Sequence, residues 1–120
     1  MILLHGTTRL RAEQIVQLGP NPHFQEPGGQ GGDDGFSLTL ETGPFFFGTA
    51  EDYARGKALA FPNEGGPVIL VIDIPDEIVQ RAVNDWFPLS QGLVQFDPGA
   101  GLEELSMAWE TLPKEIQSIP

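Results

Sequence analysis

The sequence predicts an α+β fold in a single domain covering residues 1–120. Three observations point there. β-prone runs recur along the chain, the strongest being Pro67-Val68-Ile69-Leu70-Val71-Ile72-Asp73-Ile74. Two segments with helical start and stop signals lie near the N-terminus. The chain has no cysteine, so its core must come from packed secondary structure rather than disulfides.

Taken in order, Ile2 to His5 reads as a buried strand with a histidine at its tip. Thr7 and Thr8 then offer hydroxyls that can cap a helix. Thr8 to Leu18 carries an apolar stripe of Ala12, Ile15, Val16 and Leu18. Gly19 is a natural stop, reinforced by Pro20 and Pro22. Pro20 to Gly35 is a long loop rich in Gly, Pro and Asp, the kind that serves as a flap over a site. Its Gly28-Gly29-Gln30-Gly31-Gly32-Asp33 stretch matches one copy of a calcium-binding repeat that works only when stacked. It lacks the Lys of a Walker phosphate loop.

Phe36 to Leu40 alternates in strand fashion. Thr42-Gly43-Pro44 turns the chain, and Phe45-Phe46-Phe47 is a short β-prone run. Thr49 and Asp52 form a capping-box variant opening a helix from Ala50 to Ala60, which Phe61-Pro62 stops. The apolar run Val68–Ile74 predicts a strand inside a sheet. Asp76 to Val83 reads as a short helix and Asn84 to Gln91 as a loop or irregular edge. Gly92 to Phe96 reads as a strand and Gly99-Ala100-Gly101 as a break. Glu104 to Trp109 alternates and reads as a strand led by Glu104. Leu112 to Ile116 reads as a closing turn.

Charge and residue inventory narrow the chemistry. The formal charge is −11, from 17 acids and 6 bases, which disfavours nucleic acid as a partner because phosphates need a basic patch. Arg9, Arg11, Arg55 and Lys57 sit on the two early helices, so a phosphate-bearing ligand is expected near them; as surface residues they are simply solvated helix faces. With two histidines and no cysteine, structural zinc spacing is absent, and no metal site is expected. The nucleophile elbow Gly-x-Ser-x-Gly is also absent. No secretory signal or membrane span is legible, and a cytoplasmic location is expected.

The residues Leu4-His5-Gly6-Thr7, a helix ending at Gly19, Phe46-Phe47-Gly48-Thr49 opening Ala50-Glu51-Asp52-Tyr53-Ala54, and the Val-Ile-Leu-Val-Ile-Asp strand together resemble the ADP-ribosyltransferase superfamily. The His-Gly-Thr opening is similar to that of poly(ADP-ribose) polymerase-like proteins and RNA 2′-phosphotransferases. The closing stretch from Glu104 to Ile116 resembles the superfamily's last strand, whose first residue is often the catalytic Glu. The resemblance implies a small split β-sheet core with NAD as substrate. It implies cleavage of the nicotinamide–ribose bond, with ADP-ribose passed to an acceptor that can be a protein, or to water.

The same resemblance implies roles for individual residues. His5 would hydrogen-bond a ribose hydroxyl, and the Gly6 backbone would grip the nicotinamide carboxamide. Thr7 belongs to the cofactor-binding set, and Phe47 or a neighbouring Phe would line the nicotinamide ring. Thr49 would orient groups at the second motif, and Arg9 and Arg11 are candidate pyrophosphate contacts. Glu104 would stabilise the oxocarbenium-like state as nicotinamide leaves, with Glu103 and Glu110 as competing choices. Phe stands where the family often has Tyr, which keeps stacking and loses a hydroxyl. The acidic chain offers little for an RNA phosphate, so the phosphotransferase branch is the weaker one.

Each of these residues also has an ordinary structural role. The three phenylalanines can be core, the glutamates surface acids, and Thr49 only a cap. His23 lies in the long loop and reads as solvated. Two further function classes stay open at this point. One is a non-catalytic module of the same fold that binds an ADP-ribose-like ligand or a protein. The other is an acidic protein that mimics nucleic acid to engage a basic partner.

Overall fold

The structure is a computed structural model and describes residues 1–20, 36–43, 45, 48–82, 92–97 and 100–119. Five strands and four helices follow in the order β1 (Ile2–Thr8), α1 (Arg9–Leu18), β2 (Phe36–Leu40), α2 (Ala50–Ala60), β3 (Pro67–Asp73), α3 (Asp76–Ala82), β4 (Leu93–Phe96), α4 (Ala100–Ala108) and β5 (Lys114–Ser118), with a 3-10 turn at Trp109–Thr111 before β5. The strands form one antiparallel sheet in the order β4-β2-β1-β3-β5. The α+β expectation holds.

Alternation along β1 decides which face is the core. Leu3, His5 and Thr7 share a face with Leu70, Ile72 and Val68, their register partners on β3. That face is dry: Leu3, Leu38, Leu70, Ile72, Val94 and Phe96 are all 0–1% exposed. Ile15 of α1, Val79 of α3, Leu102 and Leu105 of α4, and Trp109 close over it. The opposite face is covered in part by α2, whose Ala50 and Ala54 pack on Gly6.

Local signals explain most boundaries. Thr8 ends β1 and caps α1, its Oγ1 accepting from Arg11 N at 3.4 Å. Gly19 closes α1 at φ 88°, and its N–H donates to Ile15 O at 2.8 Å. The expected capping box is present on α2: Asp52 N donates to Thr49 Oγ1 and Thr49 N donates to Asp52 Oδ2, both at 3.1 Å. β1 runs three residues beyond the expected His5, because β3 pairs with it through Thr8↔Pro67.

The C-terminal third departs from expectation. Residues Glu104 to Trp109 are not a strand; Ala100–Ala108 form α4, and the break expected at Gly99-Ala100-Gly101 contains the helix start. The alternating reading needs Met107 to be buried beside Leu105 and Trp109, yet Met107 is 83% exposed. The buried residues are Leu102, Leu105 and Trp109, whose 3- and 4-residue spacings are those of a helix face. The closing segment is not a turn but strand β5, paired with β3 from Ile72↔Lys114 to Val68↔Ser118. An edge strand needs little apolar surface, and Ile116 alone packs on the core from it. α3 stands where a short helix is expected, and α4 adds a helix that the sequence reading lacks. The loop Pro20–Gly35 beyond Pro20, the residues Phe46 and Phe47, and the stretch 84–91 lie outside the described residues.

Candidate functional site

β1 is paired along its whole length on one side and only briefly on the other. Toward β3 the register runs without interruption from Ile2↔Asp73 to Thr8↔Pro67. Toward β2 it consists of Leu3↔Leu40 and Leu4↔Thr39. β2 meanwhile stays paired with β4 from Thr39↔Leu93 to Phe36↔Phe96. The sheet thus continues on both flanks and parts between β1 and β2 from His5 onward.

The His5 imidazole borders this seam. Its Nδ1 lies 2.7 Å from Ser37 O. A carbonyl only accepts, so Nδ1 carries the proton and Nε2 is the acceptor nitrogen. The ring packs on Phe36 at 4.6 Å between centroids, and Phe36 meets Trp109 edge-on at 6.0 Å. Burial, assisted by the Lys57 charge, pushes the His5 pKa down to about 3. His5 is therefore neutral at physiological pH and suited to hydrogen bonding rather than to proton donation as an imidazolium.

Gly6 contributes backbone to the same seam. Met1 and Ile74 exchange backbone hydrogen bonds (Met1 N to Ile74 O 2.7 Å, Ile74 N to Met1 O 2.9 Å), and Arg9 N donates to Gly66 O at 3.0 Å. Odd-numbered residues of β1 therefore turn their N–H and C=O toward β3, and even-numbered ones toward β2. At Leu4 those groups meet β2. At Gly6 they face the seam, past the last ladder pair. The absence of a side chain at Gly6 has a second cause: a Cβ there would lie 1.9 Å from Ala50 O and 2.8 Å from Ala54 N.

The first two motifs of the resemblance therefore meet in space. Gly6 of β1 lies beneath the first turns of α2, which Thr49 caps, while the His5 side chain lies on the other face of the sheet, packed on Phe36. Tyr53, half-buried on α2, has its phenol pKa raised by burial and by Asp52, so it is a neutral hydroxyl. Thr7 is fully buried on the core face. Phe47 lies outside the described residues, as does His23.

The remaining expected residues go elsewhere. The Arg9 guanidinium donates to Ser118 Oγ at 2.6 Å; β5 lies on the far side of β1 from β2, so Arg9 reaches away from the seam. Arg11 is 2.7 Å from Glu64 Oε1 and stacks 4.0 Å over the Phe61 ring. Thr8 Oγ1 donates to the same Glu64 oxygen at 2.8 Å. Arg55 pairs with Glu51 at 2.7 Å. Glu104 is in α4 and accepts from Arg81 of α3, with Arg81 Nε 2.9 Å from Oε1 and 3.1 Å from Oε2. The hydrogen bonds from Arg81, and then its charge, hold the Glu104 carboxyl below its usual range. Glu103 and Glu110 are exposed.

One group has no site role in the sequence reading. Lys57 of α2 counts there only as one base of four. Burial, and then the Arg11 charge, lower its pKa to about 7, so a sizeable fraction is a neutral amine at neutral pH. Nothing in the local sequence distinguishes it from an exposed helix lysine; its partial burial comes from tertiary packing. Among the described residues no three His, Cys, Asp or Glu side chains are placed to hold a metal ion. None of the described helices is long and apolar enough to cross a membrane. No protein-family model matches the chain, and neither the curated proteins nor the solved structures include a match.

Proposed function

We propose that this chain is a binding domain for NAD or an ADP-ribose-like ligand, built on the plan of the ADP-ribosyltransferase superfamily. One observation supports the proposal: the His5-Gly6 segment borders the seam between β1 and β2, with the imidazole on the core face of the sheet and Gly6 against the Thr49-capped start of α2 on the other, the residues on which the resemblance rests. A planar carboxamide suits backbone groups left facing a parted ladder, and the Nε2 of a neutral imidazole accepts from a ribose hydroxyl. Nucleic acid is a poor partner for a chain of charge −11.

The transferase or glycohydrolase reading is the second one, supported by the same two motifs. It needs a carboxylate at the reacting ribose carbon. The sequence nominates Glu104 for that place, at the head of a strand, but its carboxylate is engaged by Arg81 and stands on a helix. That pairing makes binding the better supported of the two.

Calorimetric titration with NAD and with ADP-ribose, alongside chromatography of released nicotinamide, tests both. Binding is expected to be saturable and to raise the melting temperature, with no nicotinamide released above background. No heat and no thermal shift at millimolar NAD and ADP-ribose would sink the proposal. Nicotinamide release that Glu104→Gln abolishes would instead establish the transferase reading.

A further inference from the structure

The sheet order β4-β2-β1-β3-β5 leaves β4 and β5 as edges, and the two differ. Along β4, Leu93 to Phe96 are buried. Along β5, Glu115, Gln117 and Ser118 are exposed and Lys114 and Ile116 half-buried. Register fixes which peptide groups β5 presents. Odd residues of β1 turn toward β3 and pair there with Ile72, Leu70 and Val68, so odd residues of β3 turn toward β5. Asp73 N accordingly donates to Pro113 O at 3.0 Å. Glu115 and Gln117, opposite Val71 and Ile69, therefore direct their N–H and C=O to β3. Lys114, Ile116 and Ser118 turn theirs outward, where no backbone hydrogen bond meets them among the described residues. A lysine on an edge strand commonly guards it against pairing. Here the Lys114 ammonium folds back on its own chain, donating to Trp109 O and, at 2.8 Å, to Leu112 O.

We propose that β5 is a self-association edge: it pairs antiparallel with β5 of a second copy of this chain, across a two-fold axis at Ile116, joining two sheets into one. Charge complementarity selects both the partner and the register. Ile116 meets the partner's Ile116 and Lys114 meets the partner's Ser118, all with outward-facing peptides, so each such pair exchanges two backbone hydrogen bonds. Between them Glu115 stands opposite the partner's Gln117, whose amide donates to the carboxylate. The two side chain types already meet within one strand, Gln117 Nε2 donating to Glu115 Oε2 at 3.4 Å. Ile116 packs against the core, so its self-pairing sets apolar contact at the axis. The other antiparallel registers are worse. A slip toward the start of the strand sets Glu115 against Glu115, and a further one sets Lys114 against Lys114. The opposite slip leaves Lys114 past the end of the ladder. Intermediate slips match outward peptides with inward ones and form no ladder. The register centred on Ile116 pairs the whole strand with no like charges opposed. The proposal is independent of what the seam binds.

The test is analytical ultracentrifugation of the whole chain up to about 1 mM, paired with residue-resolved hydrogen exchange at both ends of the concentration range. A monomer–dimer equilibrium is expected, and it should tighten with added salt because each copy carries a charge of −11. The amides of Lys114, Ile116 and Ser118 are expected to gain protection as concentration rises, while those of Glu115 and Gln117 stay protected throughout. Gln117→Glu opposes two carboxylates, twice over by symmetry, and is expected to weaken the dimer by about tenfold. Gln117→Lys faces Glu115 with a cation and is expected to tighten it by about fivefold. Gln80→Glu and Gln80→Lys, at an exposed position of α3, make the same changes in net charge and are expected to shift the dimer far less. A chain that stays monomeric at about 1 mM in high salt overturns the proposal. So does a dimer whose Lys114, Ile116 and Ser118 amides gain no protection, which would place the contact on another face. Equal shifts at positions 117 and 80 would also overturn it, since net charge alone would then account for the effect.

Discussion

Gly6 lies directly beneath the backbone of Ala50: a Cβ on residue 6 would sit 1.9 Å from the Ala50 carbonyl oxygen. The obstacle is main chain on a capped helix, so no rotamer change relieves it. Gly6→Ala is expected to push α2 off the sheet and cost about 3 kcal/mol or more. Urea unfolding should show the lower midpoint, and ligand binding at the seam should fall with it. Gly56, on the same helix, is exposed, and a Cβ there would meet nothing within 4 Å. Gly56→Ala is expected to stabilise by about 0.5–1 kcal/mol through helix propensity alone. The opposite signs at these two glycines separate close approach from backbone entropy.

His5 gives the fold an acid sensitivity of known sign. Its pKa is about 3 when folded against 6.5 in the unfolded chain. Between those values the unfolded state binds the extra proton, so stability is full above pH 6.5 and falls as the pH drops toward 3. The slope is about 1.4 kcal/mol per pH unit within that window. Unfolding free energies measured at about pH 7, 6 and 5 should show it, before the carboxylates titrate. His5→Gln retains an N–H for Ser37 O but does not titrate, and is expected to flatten the profile. An unchanged slope in that variant would mean that the imidazole is not the group responsible. Lys57, lowered to about 7 from 10.5, acts in the same direction in a higher window: stability gains as the pH rises from about 7 through 10.5.

The Thr49 cap is the part of the site whose contribution separates folding from binding. Its side chain accepts from Asp52 N, and the Asp52 carboxylate accepts from Thr49 N. Thr49→Ala is expected to cost about 1 kcal/mol, and Thr49→Ser to recover most of it. If Thr49 only caps, ligand affinity extrapolated to the fully folded protein stays at the wild-type value. If it also orients ligand, affinity falls in the alanine variant beyond what the change in folded fraction accounts for.

The sequence carries its own signals wherever a local rule decides the structure. The capping residues of α2, the glycine that stops α1 and the apolar run of β3 are each set by neighbours a few residues away, and each is legible. β5 is not, because a polar edge strand is defined by the β3 ladder it joins rather than by its own composition. α4 reads as a strand because Leu105, Met107 and Trp109 happen to alternate, while the helical spacing of Leu102, Leu105 and Trp109 is equally present and only burial chooses between them. His5 and Gly6 can be named from sequence. That they flank a parted ladder cannot, since the seam depends on where β2 stops pairing with β1, and the burial of Thr39 and the partial burial of Lys57 depend on tertiary packing.

The Arg81–Glu104 pair yields the sharpest division between binding and catalysis. The two side chains lie on α3 and α4 and are 60% and 34% exposed, so water and salt screen their attraction. Glu104→Gln and Arg81→Gln are each expected to lower the melting temperature slightly. The double variant should be no worse than either single one, and the differences should shrink in molar salt. The Glu104 pKa is lowered, so the pair stabilises above the ordinary glutamate pKa, and that benefit fades as the pH falls through the lowered value. Neither substitution is expected to change NAD affinity by as much as about twofold, well under the roughly tenfold that a lost direct contact produces. A Glu104→Gln variant that folds like wild type yet loses NAD binding would place the carboxylate at the ligand after all, and would return the catalytic role to the residue the sequence nominates.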